Sequence, residues 1–260
     1  MLTCKKRMFT KPTHHYLCAW FVMFVSLLMI NHAQATNNAL NFPPSAEINY
    51  QIQTVQAGLP ISGNAKIIWQ MNAQEEPKTY RIYTETSVAL FGKIHSTQSQ
   101  GNINTIGLMP LRFTEKRLRK APTTTTFDYD NKRIQFSESE EIYELKGGEQ
   151  DRTSAIWQLV TLARTTGQEV ALGQQWKMVV AGNRDADPWV FKVVNKVTLH
   201  TALGELACLH ILRSPPPDAK EQQLEVWLAS ELNYYPVQIS FQEKEGDHIE
   251  QKITSIKNQK

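Results

Sequence analysis

Residues 151–167, DRTSAIWQLVTLARTTG, form the one stretch after the leader with a clear helical period, and the fold follows from what that stretch needs. Ile156, Leu159, Val160 and Ala163 recur at i, i+3, i+4 and i+7, one face of an α-helix, and Trp157 widens the stripe. Asp151 or Ser154 supplies an oxygen for the first free backbone N–H groups, and Gly167 suits the left-handed conformation that ends a helix. A lone amphipathic helix set between two long runs of strand must bury its stripe against a sheet.

Those runs are legible on both sides. Ile48, Tyr50, Ile52 and Thr54 alternate with Glu47, Asn49, Gln51 and Gln53, the two-residue period of a strand with one wet face. Residues 65–71 and 80–88 repeat the pattern, Glu75-Glu76-Pro77 turns between them, and Asp130-Asn131 marks a hairpin. After the helix, Trp189, Phe191, Val193, Val197 and Leu199 line one face, while residues 206–212 are apolar on both faces and read as a central strand covered from both sides. Tyr235, Val237, Ile239 and Phe241 share a face near the end of the chain. Breaks fall at Ala57-Gly58, Gly147-Gly148 and the proline-rich residues 214–220. Roughly twelve to fourteen strands with short links and no βαβ rhythm predict a mainly β protein. The expected form is a large twisted antiparallel sheet, an open or half-closed barrel with the amphipathic helix on its concave face. A two-sheet sandwich with the helix at one end is the alternative architecture.

Bulk properties bound where such a protein works. Lys5, Lys6, Arg7 and Lys11 precede an apolar run over residues 16–30 and an Ala33-Gln34-Ala35 cleavage pattern, the three parts of a secretory signal peptide. The expectation is a cut after Ala35, export to the periplasm, a linker over 36–45, and a single β-rich domain over 46–257 without a transmembrane helix. Loss of those four cations takes the formal charge of +3 to −1, so nothing global invites nucleic acid. Cys4 and Cys18 leave with the leader, and Cys208 remains as a buried core residue with no disulfide partner.

The punctuation also resembles a known family. Ala57-Gly58 with Gly63, Gly107-Leu108-x-Pro110-x-Arg112-Phe113, Phe127-Asp128-Tyr129, Asp151-x-x-Ser154, Thr201-x-Leu203-Gly204, and Trp227-Leu228-Ala229 followed by Tyr235-Pro236-Val237 are the residues concerned. In this order they resemble the exported Gram-negative family called domain of unknown function 3108. The resemblance spans nearly the whole chain after the leader. It implies a β-rich periplasmic domain and transfers no catalytic residue or cofactor. In layout alone the chain is also similar to periplasmic lipoprotein carriers and related envelope sensors, whose unclosed barrels hold helices over an apolar cavity.

Candidate chemistry is sparse. The sequence has no Gly-x-Ser-x-Gly elbow, no His-Glu-x-x-His and no phosphate-cradling glycine loop. Cys208 and His210 share a strand face but match no zinc spacing, and Asp185-Ala186-Asp187 reads as a solvated turn, so no metal and no cofactor is expected. An enzyme is not the first expectation, although a pair of unmarked carboxylates leaves no local motif. The expected ligand is a lipid or other amphiphile held between helix and sheet by Ile156, Trp157, Leu159, Val160, Trp189, Trp227 and Tyr235. Arg112, Arg117 and Arg119 would meet its head group; on a regular strand Arg117 and Arg119 share a face. The alternative is a structural or interaction protein that docks an envelope protein partner.

Overall fold

The computed structural model describes residues 39–56, 59–89, 91–213, 223–242 and 248–259. The leader, the break at Ala57-Gly58 and the proline-rich residues 214–220 lie outside the described residues. Short links between strands dictate antiparallel hairpins, and among the described residues fifteen strands follow one another with a single α-helix between the ninth and tenth. They are β1 (Ala46–Gln56), β2 (Leu59–Asn72), β3 (Thr79–Val88), β4 (Gly92–Ile103), β5 (Leu108–Arg117), β6 (Thr123–Asp128), β7 (Arg133–Phe136), β8 (Ser139–Glu144) and β9 (Gln150–Asp151) before the helix. After α1 (Ser154–Thr166) come β10 (Gln175–Ala181), β11 (Ala186–Thr201), β12 (Gly204–Arg213), β13 (Gln223–Ala229), β14 (Tyr235–Gln242) and β15 (His248–Asn258).

All fifteen belong to one sheet, in which spatial neighbours are sequence neighbours except at one place: β1 pairs with both β2 and β15. The two edges are therefore β8 and β9, consecutive in the chain and not paired with each other, so the sheet is not closed into a barrel. Among the described residues only the β9–β10 pair is parallel. Register carries one face across the first half, through Ala46, Trp69, Ile82, Ser99, Phe113, Thr125 and Phe136, all buried. Val193, Ile211, Val226 and Ile239 do the same in the second half.

These inner faces enclose α1. The helix begins at Ser154 because Asp151 is taken into β9 opposite Ala181. Its carboxylate still caps the helix, since Oδ1 accepts from the N–H groups of Thr153 and Ser154 at 2.8 Å. Gly167 closes the other end at φ +62° and ψ −136°, a positive-φ conformation open to glycine though not the left-handed helical one expected. Trp157 stacks on Trp69 at 4.7 Å between centroids and meets Tyr235 edge-on at 6.0 Å. Leu159, Val160 and Ala163 are fully buried beside it, while Ile156, at the start of the expected stripe, is half-buried.

Polar side chains tie the helix to the sheet. Gln158 accepts from Leu108 N–H and donates to Ile106 carbonyl, bridging α1 to the entry of β5. A Cβ on Gly107, which sits at φ +135°, would collide with that carboxamide. Residues 41–45, expected as part of a linker, are strapped to the body: Trp69 Nε1 donates to Pro43 carbonyl, Tyr235 hydroxyl to Pro44 carbonyl, and Arg164 holds Asn41. Beyond the helix a second cluster of Phe113, Phe127, Ile134, Phe136 and Leu145 packs with Ala181 and Ala186, which belong to the opposite end of the sheet. The sheet is thus an open spiral whose β9–β10 end lies against the inner face of β4–β7.

Trp157→Ala removes the centre of this arrangement and should cost about 3–5 kcal/mol, the range for deleting a fully buried large aromatic. Urea denaturation of the two proteins checks it; a loss below about 1 kcal/mol means the helix does not hold the core.

Candidate functional site

None of the expected ligand residues on α1, β11, β13 and β14 lines the concavities described below. Trp157, Leu159, Val160 and Tyr235 are buried to within 1% of full coverage and pack on each other and on the sheet. Trp189 lies on the inner face near Phe191, with the Arg213 guanidinium 4.3 Å above its ring. Trp227 alternates with buried Val226 and Leu228, which turns it to the opposite face of β13, where it stacks on His210 at 4.4 Å. The three arginines are also separated. Arg112 pairs with Gln100 on the outer face and borders a shallow hollow. Arg117 closes β5 on the inner side, and Arg119 sits in the following turn at φ +59°, so β5 ends too early for the regular alternation expected of 117 and 119.

A buried polar network lies at the start of the helix. Asp151 is fully buried, and Ser99 donates to its Oδ2 at 2.5 Å. Since that hydroxyl hydrogen is committed, Tyr80 must be the donor in its 3.1 Å bond with Ser99. Burial pushes the Asp151 carboxyl up to about 6, against the lowering effect of Ser99 and the Ser154 and Thr153 N–H groups. Thr84, Thr97 and Thr153 form a second hydroxyl chain alongside. The network joins β3, β4 and β9 to the helix cap and has no opening to solvent at Asp151.

An open concavity of about 460 Å³ lies where the spiral overlaps itself. Glu115 and Arg117 of β5, Lys120 of the next turn, Thr123 of β6, Glu138 of the β7–β8 turn and Arg152 before α1 contribute to it, with Asn183, Arg184 and Asp185 of the β10–β11 turn. Glu115, 5% exposed, is its fixed point: it bonds His95 at 3.0 Å, Arg117 at 2.5 Å and Asn183 at 2.6 Å. Burial alone would raise this carboxyl, but the His95, Arg117 and Asn183 hydrogen bonds outweigh it and hold it down at about 2. Thr125 hydroxyl donating to Gly182 carbonyl closes the same seam. Of these residues only Arg117 was expected to meet a ligand. Glu115 and Asn183 are 68 positions apart, and no local period or motif announces their contact.

The remaining candidates are structural in their surroundings. Cys208 is buried, and burial pushes its thiol up to about 11, which suits a core position and not a reactive one. His210 is hydrogen-bonded to Glu225 at 2.6 Å, and His200 Nδ1 lies 3.2 Å from a Glu205 carboxylate oxygen, on opposite faces of the β11–β12 hairpin. Among the described residues no cluster of His, Cys, Asp and Glu has the arrangement to hold a metal ion. No helix among them is long and apolar enough to cross a membrane.

The family model described as a protein of unknown function, DUF3108, matches residues 47–254. None of the curated proteins is significantly similar to the chain. Among solved structures, a β-barrel-like DUF1849 protein from Brucella abortus superposes with a TM-score of 0.54 at 12% identity, over 85% of this chain and 100% of that one. The shared fold is what this likeness shows. A DUF1329 family protein from Desulfovibrio piger (TM-score 0.33, 5% identity, 83% and 86% coverage) overlaps more loosely. So does an outer membrane lipoprotein-sorting protein domain from Vibrio parahaemolyticus (0.27, 8%, 83% and 86%).

The two buried carboxylates bend the stability profile in opposite senses. Asp151 titrates near 6 in the fold against an ordinary 3.8, so it favours the folded state below pH 3.8 and that contribution is lost as pH rises through 6. Glu115 stands below its ordinary 4.5, so its contribution is present above pH 4.5 and is lost as pH falls toward 2. Denaturant titrations from pH 3 to 7 should show Asp151→Asn flattening the slope between pH 4 and 6, and Glu115→Gln flattening it below pH 4.5. Unchanged slopes in both variants contradict the assignment.

Proposed function

The chain belongs to the DUF3108 family, and we propose that it is an exported binding module of the Gram-negative envelope whose ligand sits in the pocket at the spiral's overlap. Cleavage after Ala35 would deliver the domain to the periplasm. The observation that supports binding is the preorganised pocket wall: Glu115, buried and held by three donors, fixes Arg117 and Asn183 at the edge of a concavity of about 460 Å³. A volume of that size lies within the usual range for small-molecule sites, and fixing the wall in advance lowers the ordering cost of binding.

Placement of an amphiphile beneath α1 is the weaker reading. It requires Trp157 to leave its stack with Trp69 and exposes Leu159, Val160 and Ala163, each at 0% exposure. Burial of one such large side chain stabilises by about 1.5–3 kcal/mol, so a ligand there must replace most of the helix's packing. Docking of an envelope protein has one observation in its favour. β8 leaves one edge of the sheet unpaired, and its Ile142 is 59% exposed, an arrangement open to strand addition.

Native mass spectrometry and ligand-observed NMR with aqueous and lipid fractions of a Gram-negative envelope extract test the reading. Binding should survive Ile156→Ala and fall on Asn183→Ala, with both variants checked for intact folding. The reverse pattern moves the site to the helix. No retained molecule from either fraction, together with efficient photocrosslinking of a protein from position 142 in cells, overturns it in favour of docking.

A further inference from the structure

The pocket's charges are arranged unequally. Glu115 already accepts from His95, Arg117 and Asn183, and Arg117 reaches it through Nε, so that its two terminal nitrogens bond no partner among the described residues. The other acids hold their cations loosely. Arg184 Nη2 lies 3.4 Å from Glu138 and Arg152 Nη2 3.9 Å from Asp185, with all four side chains between 41% and 68% exposed. Solvated pairs of this kind contribute little and exchange readily for a better acceptor. Lys120 has no ion pair among the described residues. Four cations thus come from four separate segments, the end of β5, the β5–β6 turn, the β9–α1 turn and the β10–β11 turn.

Arg152 owes its position to a glycine. Its guanidinium lies over Gly182, and a Cβ at 182 would meet the guanidinium atoms directly. Gly182 is itself pinned by the Thr125 hydrogen bond to its carbonyl, so the approach belongs to the seam and not to a free surface side chain.

Resting on the pocket reading above, we infer that this site takes an oxyanion, a phosphate or carboxylate carried on a small polar molecule. The planar guanidinium forks of Arg152, Arg184 and Arg117 match two oxygens at a time, and Lys120 adds a point charge. The incoming anion displaces Glu138 and Asp185 from their cations, whereas Glu115 stays in place as the anchor of the wall. Because the pocket is open to water, affinity falls as salt rises.

The test uses the domain from residue 36 onward, as expected after leader cleavage, with glucose 6-phosphate, glucuronate and neutral glucose as probes. Backbone NMR shifts at Thr123 and Asn183 report the pocket, and calorimetry gives the affinity. Both charged probes, or one of them, should shift these amides. The affinity should drop on the order of tenfold or more in Arg152→Ala/Arg184→Ala and between about 20 mM and 300 mM salt. Gly182→Ala, which displaces Arg152 without removing charge, should give a smaller loss in the same direction. Response to phosphate alone or carboxylate alone names the source of the oxyanion. Equal binding of glucose at the same amides, insensitive to salt and to the double variant, overturns the oxyanion inference while the pocket stands. No shift at the pocket with any probe overturns the inference, and the extract experiment then decides the pocket itself.

Discussion

Trp157 is the element on which the rest depends. Its indole lies almost parallel to that of Trp69, and Tyr235 closes on its edge, so one side chain of α1 touches strands from both halves of the sheet. A sheet that runs outward from β1 in two directions has nothing in its hydrogen bonding to bring its halves together. Burial of a shared aromatic inside the curl supplies that force, and the twist of the strands supplies the curvature. The neighbouring aromatics are then tied by their polar tips: Trp69 to Pro43, Tyr235 to Pro44 and Tyr50 to Pro236.

Several residues that carry the family resemblance prove to be joints around this helix. Gly107 leaves room for the Gln158 carboxamide that bridges α1 to Leu108 and Ile106. Asp151 caps the helix N–H groups, while Ser154 accepts from Asp151 N–H in return. Thr201 and Gly204 close the β11–β12 hairpin through the threonine hydroxyl and a glycine at φ +105°. Phe113 and Phe127 anchor the second cluster, where the two ends of the sheet overlap. These positions account for a spiral with a helix inside it. None of them lines the charged pocket at the seam.

The seam has a different physical character from the core. Inside the curl, contacts are mainly aromatic and aliphatic, with the polar tips of Tyr50, Trp69 and Tyr235 on backbone carbonyls and that of Tyr80 on the Ser99 hydroxyl. At the overlap the edges β8 and β9 do not pair, so the ends are joined by side chains instead: Thr125 to Gly182, Asn183 to Glu115 and Arg184 to Glu138. Side chains of mixed charge fill such a junction less completely than a ladder of strands, and the open pocket is the result.

Much of the architecture was legible in the residues. Alternation marked the strands, the Ile156–Ala163 spacing marked the helix, and Gly167 marked its end, because these signals are local and depend on periods of two and 3.6 residues. Short links made neighbours antiparallel, which is enough for one large meandering sheet. The helix start slipped by three residues since Asp151 serves two structures at once, a β9 pairing and a cap. What the residues could not disclose was the fate of the apolar stripe. A helix that seals a core and one that covers a ligand have the same pattern, and only the stacking of Trp157 on a residue 88 positions away distinguishes them. The meeting of Arg117 and Lys120 with Arg152 and Arg184 was equally hidden. Residue order alone determined a mainly β chain with one amphipathic helix on a large antiparallel sheet. Tertiary structure decided where the open space lies, because long-range register brings the two sheet ends together and no local pattern encodes that meeting.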